Sequence, residues 1–392
     1  MQTIYLKKRE ERRIKAGHLW VFSNEIDTAR SPIKGLEAGS LVVVLANSGE
    51  HLGVGYINPA SLICIRLLET GRYTSRDAAE MIQQRLREAL DWREACFAEP
   101  YYRLVHGEGD FLPGLVVDRF GDYLVVQIGT AGMEAQRDVI LACLEDLLQP
   151  KGVLFRNDSR GRELEGLANS DDELYGDWPA QLDVFEGECH FQMPADGGQK
   201  TGWFYDQRPN RETFLRWAHG SRVLDVFSYV GGWGIQAAKA GAKAVTCIDG
   251  SESVCAQIIH NAALNDVRID VIHNDAFKAL GELKEAGRQF EIIVVDPPAL
   301  IKKKKDQRAG ISAYQRLNEL AISCLVPGGV LVSATCSHHL PLHELNSLVR
   351  RAANKRGRQI STVAKGGAGL DHPVHPAIPE TEYLKAVFSR LL

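Results

Sequence analysis

From Arg222 to the end of this 392-residue chain, short apolar runs alternate with stretches that have helical spacing. The apolar runs are RVLDVF, AVTCID, IDVIHN, FEIIVVD, GVLVSAT and YLKAVFSR. Strands that alternate with helices form parallel sheets covered on both faces, and such strands are apolar almost throughout. The pattern therefore predicts an α/β fold, with a doubly wound sheet in the C-terminal part of the chain.

Two regions of different character precede this alternation. Residues 1–72 contain short apolar stretches such as LVVVL and LICIRLL between Gly, Pro and Asn turns, which predicts a small β-barrel. Residues 73–193 mix strand-like runs with the helical pattern DAAEMIQQRLREALDWREACF, which predicts a central α+β domain. The third predicted domain, residues 194–392, opens on the Gly-rich approach ADGGQKTGWFYDQRPNR.

Composition narrows the class of protein. The chain is 45% hydrophobic and 24% charged, and no window approaches the roughly 18 apolar residues of a membrane helix. The start MQTIYLKKREERR has no apolar segment behind it, so we expect a cytoplasmic protein without a membrane partner. The 8 cysteines form no CxxC pair, which is typical of reduced thiols and not of a disulfide framework or a zinc ribbon.

The net charge of −4 argues against a globally basic nucleic-acid binder, but three local clusters are basic. Residues 1–35 hold 8 Lys or Arg against 4 acids, Lys302–Lys305 precede Arg308, and RRAANKRGR spans residues 350–358. Each cluster alone is most simply a solvated face. Together they are compatible with contacts to phosphate.

Acidic residues follow three successive predicted strands, at Asp225, Asp249 and Asp275. Ligands of doubly wound sheets bind at the carboxyl ends of the strands. The loop after Asp225 lacks the spacing G-x-G-x-x-G, and a carboxylate there would repel a pyrophosphate. Three acids suit S-adenosylmethionine, which is cationic and offers ribose and adenine donors, although a strand-end Asp can also be a helix cap. The predicted cofactor contacts from the strand ends are Asp225, Ser228, Tyr229, Gly231, Gly232, Asp249, Asp275, Ala276, Asp296 and Pro297.

The next two strands end in VVDPP and SATCSHH. Two prolines fix the backbone after Asp296, and Cys336 ends the following strand, so both side chains should face one pocket. A thiolate that adds to carbon 6 of cytosine activates carbon 5 toward a methyl group, and a carboxyl group on N3 and the exocyclic amine stabilises the developing charge. Cys336 as a metal ligand is the weaker interpretation, because His338, His339 and His343 match no common zinc spacing, and we expect no metal.

These motifs resemble those of bacterial class I methyltransferases of the YccW type, which carry an N-terminal PUA domain and form 5-methylcytosine in 23S ribosomal RNA. The matching segments run in order along the chain: KREERRIKAGHLWVFSNEI, GEGDFLPGLVVDRFGD, GGQKTGWFYDQRPNR, LDVFSYVGG, VVDPP, TCS and DHPVHPAIPETEYLKAV. The resemblance implies a Rossmann-like methyltransferase domain and a nucleophilic Cys336. It also implies that Gly17, His18 and Trp20 belong to an RNA-holding PUA barrel, and that Lys200, Thr201, Tyr205 and Arg208 cover the cofactor pocket.

The sequence thus predicts an S-adenosylmethionine-dependent cytosine-5 methyltransferase of ribosomal RNA, 23S in particular, with Cys336 and Asp296 as catalytic residues. The larger group of RNA cytosine methyltransferases has a second cysteine where this chain has Ala299, so the acceptor of the carbon 5 proton is unassigned. One alternative is an N-methyltransferase acting on an exocyclic amine; such enzymes usually have an aromatic residue at the position of Ala299. Another is a non-catalytic RNA-binding protein. A homodimer contact through the central domain is a further hypothesis.

Overall fold

The computed structural model describes residues 1–71, 77–158, 160–195, 202–301 and 303–392. Contacts within the chain divide it into two compact units. Unit 1 comprises Met1–Leu182, Ala195–Gly202 and Leu370–Thr381, and unit 2 comprises Asp183–Pro194, Trp203–Gly369 and Glu382–Leu392. No helix in these described ranges has the length and apolar character needed to span a bilayer.

The first part of unit 1 is a five-stranded sheet in the order β1-β3-β4-β5-β2. Its elements are β1 (Gln2–Tyr5), α1 (Glu11–Lys15), β2 (Trp20–Phe22), β3 (Leu41–Leu45), β4 (His51–Ile57) and β5 (Ile63–Thr70). Strand β1 pairs with β3 in parallel, and the remaining pairs are antiparallel. Alternate residues such as Ile4, Val42 and Ile65 build one apolar core, which confirms the short strands predicted for this region.

Unit 1 also contains a second five-stranded sheet, in the order β10-β9-β8-β7-β6. Its elements are α2 (Ala78–Cys96), β6 (Tyr101–His106), β7 (Leu115–Phe120), β8 (Tyr123–Ile128), α3 (Ala131–Glu134), α4 (Arg137–Leu148), β9 (Gly152–Arg156), α5 (Arg160–Leu164) and β10 (Glu173–Gly176). Helix α2 begins where predicted, because the Asp77 carboxylate accepts a hydrogen bond from the Glu80 amide at 2.9 Å. Ile82 and Leu86 of α2 pack in the same core as Val117 of β7.

Unit 2 contains a seven-stranded sheet in the order β15-β14-β13-β16-β17-β19-β18, together with the two-stranded pair of β11 and β12. Its elements are β11 (Gln181–Glu186, in unit 2 from Asp183), β12 (Cys189–Pro194), α6 (Arg208–Leu215), β13 (Arg222–Val226), α7 (Gly232–Lys239), β14 (Ala244–Asp249), α8 (Glu252–Leu264), β15 (Asp270–His273), α9 (Ala276–Glu285), β16 (Phe290–Val295), α10 (Gln307–Ser323), β17 (Leu325–Thr335), α11 (Leu342–Lys355), β18 (Ile360–Gly366) and β19 (Lys385–Leu391). Strands β13 to β17 are parallel, and β19 runs antiparallel to both β17 and β18.

The doubly wound sheet and all six of its predicted strands are confirmed. Successive residues of the central strands face opposite cores: Leu224 and Ile293 point to one side, and Val223 and Val294 to the other. Strand β18 was not predicted, because its exposed and polar residues at the edge of the sheet leave no apolar run. Since β13 to β17 are parallel, Asp225, Asp249 and the residues that follow β15, β16 and β17 lie together at the edge of the sheet that the carboxyl ends of these strands form.

Candidate functional site

Asp225 lies at the carboxyl end of β13 with no solvent exposure. Its Oδ2 accepts a hydrogen bond from the Gly234 amide at 3.0 Å, whereas Oδ1 is buried without a hydrogen-bond partner among the described residues. Burial raises the pKa of Asp225 to about 7, and the nearby carboxylates of Asp296 and Asp249 act in the same direction. An orphaned buried oxygen in an acidic surrounding is suited to a cationic donor.

The loop between β13 and α7 has an unusual backbone. Phe227, Tyr229 and Gly231 have φ values of 66°, 50° and 90°, in the left-handed region that non-glycine residues rarely adopt. The buried Ser228 hydroxyl stabilises this path, because it donates to the Asp225 carbonyl at 2.8 Å and accepts from the amide of Ile248 at 3.0 Å. The strained loop therefore presents backbone groups at the edge of the sheet where a ligand binds.

Close packing explains the glycines that follow. A side chain on Gly232 would meet the ring of Trp203 at 3.2 Å, and one on Gly234 would lie 2.5 Å from the sulfur of Cys247. The approach at Gly234 leaves no room for a Cβ, so a glycine there lets α7 begin this close to β14. The helix N-terminus is thereby held against the end of β13.

The acids after β14 and β15 both have structural partners. Asp249 accepts hydrogen bonds from the Tyr229 amide on Oδ2 and from the Ser251 amide on Oδ1, each at 3.0 Å. Asp275 is exposed and caps α9 by accepting from the Lys278 amide at 3.0 Å, next to the buried Ala276. A carboxylate oxygen has more than one lone pair, so these bonds leave acceptor capacity for a ligand. The helix-cap interpretation of Asp275 is nevertheless correct as far as it goes.

Asp296 directly follows β16, before Pro297, which is buried, and Pro298. Its Oδ2 accepts hydrogen bonds from Gln207 Nε2 at 2.9 Å and from Trp233 Nε1 at 3.2 Å. Burial raises the pKa of Asp296 to about 6, and the nearby Asp206 carboxylate contributes. Two side chains from separate elements thus hold this carboxyl group in one orientation.

Cys336 follows β17, the neighbour of β16 in the sheet, and is partly exposed. The residues on either side of it are buried and hydrogen-bonded: Thr335 Oγ1 lies 2.7 Å from the Tyr314 hydroxyl, and Ser337 Oγ donates to the Ile301 carbonyl at 2.7 Å. Burial raises the pKa of Tyr314 to about 12, with contributions from both Cys336 and Asp296. The two residues predicted to be catalytic therefore both lie within electrostatic range of one tyrosine.

The approach segment to the sheet is organised by a buried acid. Glu186 of β11 binds Arg211 through both oxygens, at 2.5 and 2.8 Å, and accepts from Trp203 Nε1 at 3.0 Å. Arg208 Nε lies 3.6 Å from the same carboxylate, and its guanidinium lies 5.5 Å from the ring centre of the buried Tyr205. Burial opposes ionisation of Glu186, but the arginines outweigh it, so its pKa is lowered.

Some predicted residues fall outside this description. Lys200 and Thr201, predicted to cover the cofactor, and Lys302, the first lysine of its basic cluster, lie outside the described residues. The His338 and His339 rings lie beside each other, with centroids 5.7 Å apart. Within the part of the chain that is described, no group of three or more His, Cys, Asp or Glu residues is arranged to hold a metal ion.

Sequence reasoning missed several residues of this edge. Gln207 and Trp233 bind Asp296, Glu186 anchors the approach segment, and Lys385 donates from its Nζ to the Ser337 carbonyl at 3.3 Å. Gln207 and Lys385 stand inside motifs that the sequence analysis singled out, and that position was the only available signal. Glu186 carries no local signal, because its partners lie 17 or more residues away.

The strand order, the glycine-rich loop after β13 and the acids at successive strand ends define a class I, Rossmann-like methyltransferase. Asp225 has a buried oxygen without a described hydrogen-bond partner, and both Asp225 and Asp296 have raised pKa values. These properties of the site fit a cationic cofactor such as S-adenosylmethionine. Residues 103–354 match the family model described as S-adenosylmethionine-dependent methyltransferase, and residues 4–70 match the model of a PUA-like domain. The chain belongs to the S-adenosylmethionine-dependent methyltransferase family, and S-adenosylmethionine is its cofactor.

Full-length relatives are known from several bacteria. Proteins named ribosomal RNA large subunit methyltransferase I are 34% identical in Tolumonas auensis, over 100% of this chain and 99% of that protein, and 32% identical in Klebsiella pneumoniae, over 99% and 98%. A methyltransferase solved in complex with SAH, SMU.776, superposes with a TM-score of 0.84 at 19% identity, covering 100% of both chains. A protein described as a SAM-dependent methyltransferase from Streptococcus mutans gives 0.81 at 19% identity, also over 100% of both. These structures support the fold.

Proposed function

We propose that this protein methylates carbon 5 of a cytosine in ribosomal RNA of the large subunit. The relatives that match the whole chain carry a name that specifies large-subunit ribosomal RNA as their substrate. The observation that carries the cytosine-5 chemistry is the placement of Cys336 and Asp296 after two neighbouring parallel strands, whose register pairs Val295 with Ser333. The proposal includes a cytoplasmic location, because bacterial ribosomal RNA is made and assembled there.

The chemistry assigns one role to each of the two residues. The Cys336 thiolate forms a bond to carbon 6, and the electrons of the carbon 5–carbon 6 double bond become available at carbon 5. Bound S-adenosylmethionine would supply the methyl group that carbon 5 takes up, and the bond between that methyl group and the sulfonium would break. A base then removes the proton from carbon 5, the bond from sulfur to carbon 6 breaks, and the thiolate is regenerated.

Asp296 is proposed to bind the cytosine ring. Its pKa of about 6 allows the carboxyl group to hold or release a proton near neutral pH, so it can donate to N3 or accept from the exocyclic amine. Gln207 and Trp233 both contact Oδ2, which leaves Oδ1 as the atom for the base. A carboxyl group fixed before the substrate arrives needs no reorganisation when charge develops on the ring.

Basic side chains support an RNA substrate. Lys303, Lys304 and Lys305 are exposed and follow the loop that carries Asp296. Exposed lysines near a pocket neutralise phosphates, so binding to RNA should weaken steeply as salt is raised. The PUA-like domain of residues 4–70 is a second candidate RNA contact, with Gly17, His18 and Trp20 as the residues proposed from resemblance.

Methylation by a cysteine variant tests the proposal. Full-length protein and Cys336→Ala should be incubated with labelled S-adenosylmethionine and either naked large-subunit RNA, assembled subunits or transfer RNA. We expect the variant to lose turnover and to bind the cofactor like the unchanged protein. Cys96→Ala is the matched control, since Cys96 is also partly exposed but lies at the end of α2 in unit 1.

The product and the adduct distinguish the alternatives. Mass spectrometry of digested RNA should find 5-methylcytosine; an N-methylated base would instead support the exocyclic-amine enzyme, and no cofactor binding would support a non-catalytic RNA-binding protein. RNA containing 5-fluorocytosine should remain covalently attached to the protein, because fluorine on carbon 5 cannot leave as a proton does. Methylation at an unchanged rate by Cys336→Ala would exclude the covalent route.

A further inference from the structure

A buried lysine lies beside the proposed nucleophile and has no role in the chemistry described so far. Lys385 is the first residue of β19 and is only 7% exposed. It pairs with Thr335, the last residue of β17, at the end of the antiparallel ladder. Directly paired residues project from the same face of a sheet, so the Lys385 side chain emerges beside Thr335, one residue before Cys336.

The ammonium group reaches past the cysteine. Lys385 Nζ donates a hydrogen bond to the carbonyl of Ser337, which follows Cys336, at 3.3 Å. The side chain therefore begins opposite the residue before Cys336 and ends at the residue after it. Lysine is rarely buried to this extent without a compensating charge, and a single carbonyl offers only part of that compensation.

We propose that Lys385 is a positioning residue that stabilises the thiolate of Cys336 and orients the loop that carries it. The inference rests on the proposed function of Cys336 as a nucleophile. The thiol loses its proton to solvent, the ammonium keeps its own, and the buried positive charge stabilises the negative charge on the partly exposed sulfur. After methyl transfer, the same ammonium receives the sulfur as it leaves carbon 6.

The other charged and titratable groups around this pair are compatible with that assignment. The pKa of Lys385 is lowered, because burial outweighs the opposing effects of Glu382 and Cys336, whose negative charges favour the ammonium. Among the described residues, the titratable groups on neighbouring elements include Tyr314 of α10, which lies within electrostatic range of Cys336, and Asp296 after β16. His338 and His339 follow the cysteine in the chain. Tyr314 carries no positive charge and keeps its proton up to a pKa of about 12, whereas Lys385 is a cation whose ladder partner, Thr335, directly precedes Cys336.

The test measures the reactivity of the thiol and not methylation. Iodoacetamide reacts with thiolates, so the rate of Cys336 alkylation against pH, followed by peptide mass spectrometry, reports the ionisation of that thiol. Cys96 in the same molecule is the internal reference, because six of the eight cysteines are buried and these two are partly exposed. We expect Lys385→Met to move the midpoint for Cys336 upward by about one pH unit or more, with a roughly tenfold slower reaction at pH 7.

Three comparisons make the outcome decisive. Lys385→Arg keeps the positive charge, so the midpoint pH for alkylation of Cys336 should stay close to that of the unchanged protein. A purely structural role of the lysine predicts that the arginine and methionine variants raise this midpoint equally. Lys365→Met, an exposed lysine on the neighbouring β18, should leave both cysteines unchanged. Cofactor titration and thermal melting verify that each variant folds. If Lys385→Met does not fold, Lys385→Arg still tests the proposal.

The results also separate this inference from the proposed function. An unchanged midpoint for Cys336 in folded Lys385→Met overturns the role of the lysine, even if Cys336→Ala is inactive. Conversely, methylation by Cys336→Ala overturns the covalent mechanism, even if the lysine lowers the thiol midpoint. In turnover, Lys385→Met should reduce kcat more than it raises KM for RNA, and raising the pH should recover part of kcat.

Discussion

Replacing Asp225 by asparagine should make unit 2 less sensitive to alkaline pH in the absence of cofactor. Burial raises the pKa of Asp225 to about 7, against 3.8 for a carboxyl group in water. The folded state thus binds this proton more tightly than the unfolded state. Its contribution to stability is complete below about pH 4 and is lost as the pH rises through 7. Asparagine has no proton to lose and should remove this part of the pH dependence.

The magnitude follows from the size of the shift. The difference of roughly 3 pKa units corresponds to about 4 kcal/mol over the whole range. Between pH 5.5 and pH 8 the part that is lost is about 2 kcal/mol, because only the interval up to the folded-state pKa of about 7 contributes. For a unit of this size that equals a change in Tm on the order of 4–8 °C.

Scanning calorimetry of the full-length protein at the two pH values provides the measurement. The transition of unit 2 is identified as the one that moves when S-adenosylmethionine is added, since a ligand stabilises the state that binds it. Between pH 5.5 and pH 8, the Tm of the unit 2 transition should fall further in the unchanged protein than in Asp225→Asn. Any cost of burying the amide is present at both pH values and cancels in this comparison.

A neighbouring acid supplies the control. Asp275→Asn changes an exposed carboxylate after β15, and asparagine can also accept the helix-capping hydrogen bond from Lys278. Its pH dependence should follow that of the unchanged protein. If Asp225→Asn and the unchanged protein lose stability in parallel from pH 5.5 to pH 8, the pKa of Asp225 is not raised in the folded protein, and the reasoning is wrong.

Two further substitutions test other parts of the edge. Arg211→Met leaves Glu186 buried with less opposite charge and should lower the free energy of unfolding by roughly 3 kcal/mol in a urea titration, whereas Arg222→Met in an exposed ion pair should change it far less. Equal losses in the free energy of unfolding for the two variants would show that the buried ion pair contributes no more to stability than the exposed one. Asp296→Asn should reduce methylation at least about a hundredfold while the Kd for S-adenosylmethionine changes much less; a parallel loss of both would assign Asp296 to the cofactor alone.

The fold could be predicted in large part because buried parallel strands leave a local signature. Each of the six strands from RVLDVF to YLKAVFSR appears in the structure, and the parallel arrangement of five of them follows from the alternation with helices. Strand β18 lacks that signature, since its residues face water at the edge of the sheet. The division into three domains stays a prediction, because the contacts within the chain form two units.

The candidate site was predictable where a residue directly follows a strand and not where the partner comes from elsewhere. Asp225, Asp296 and Cys336 became candidates because the ends of parallel strands mark the edge of the sheet where ligands bind. Lys385 reaches Ser337 across 48 positions in the chain through the antiparallel ladder of β17 and β19. No spacing rule in the sequence specifies the register of these two strands. The position of Lys385 in YLKAV therefore gives no sign that its side chain reaches Ser337.

The electrostatics of the edge connect its stability to its chemistry. Asp225 and Asp296 both have raised pKa values, and each lies close to another carboxyl group, so their surroundings disfavour the negative charges that the two acids carry at neutral pH. A cation is the ligand that reverses this cost, because its charge favours the ionised form of both acids. The pocket therefore discriminates against anionic nucleotides of similar shape by repulsion as well as favouring S-adenosylmethionine by attraction. On this argument Asp225 and Asp296 lower the stability of the folded unit at neutral pH, whereas a hydrophobic residue at either position would avoid this cost but would select no cation.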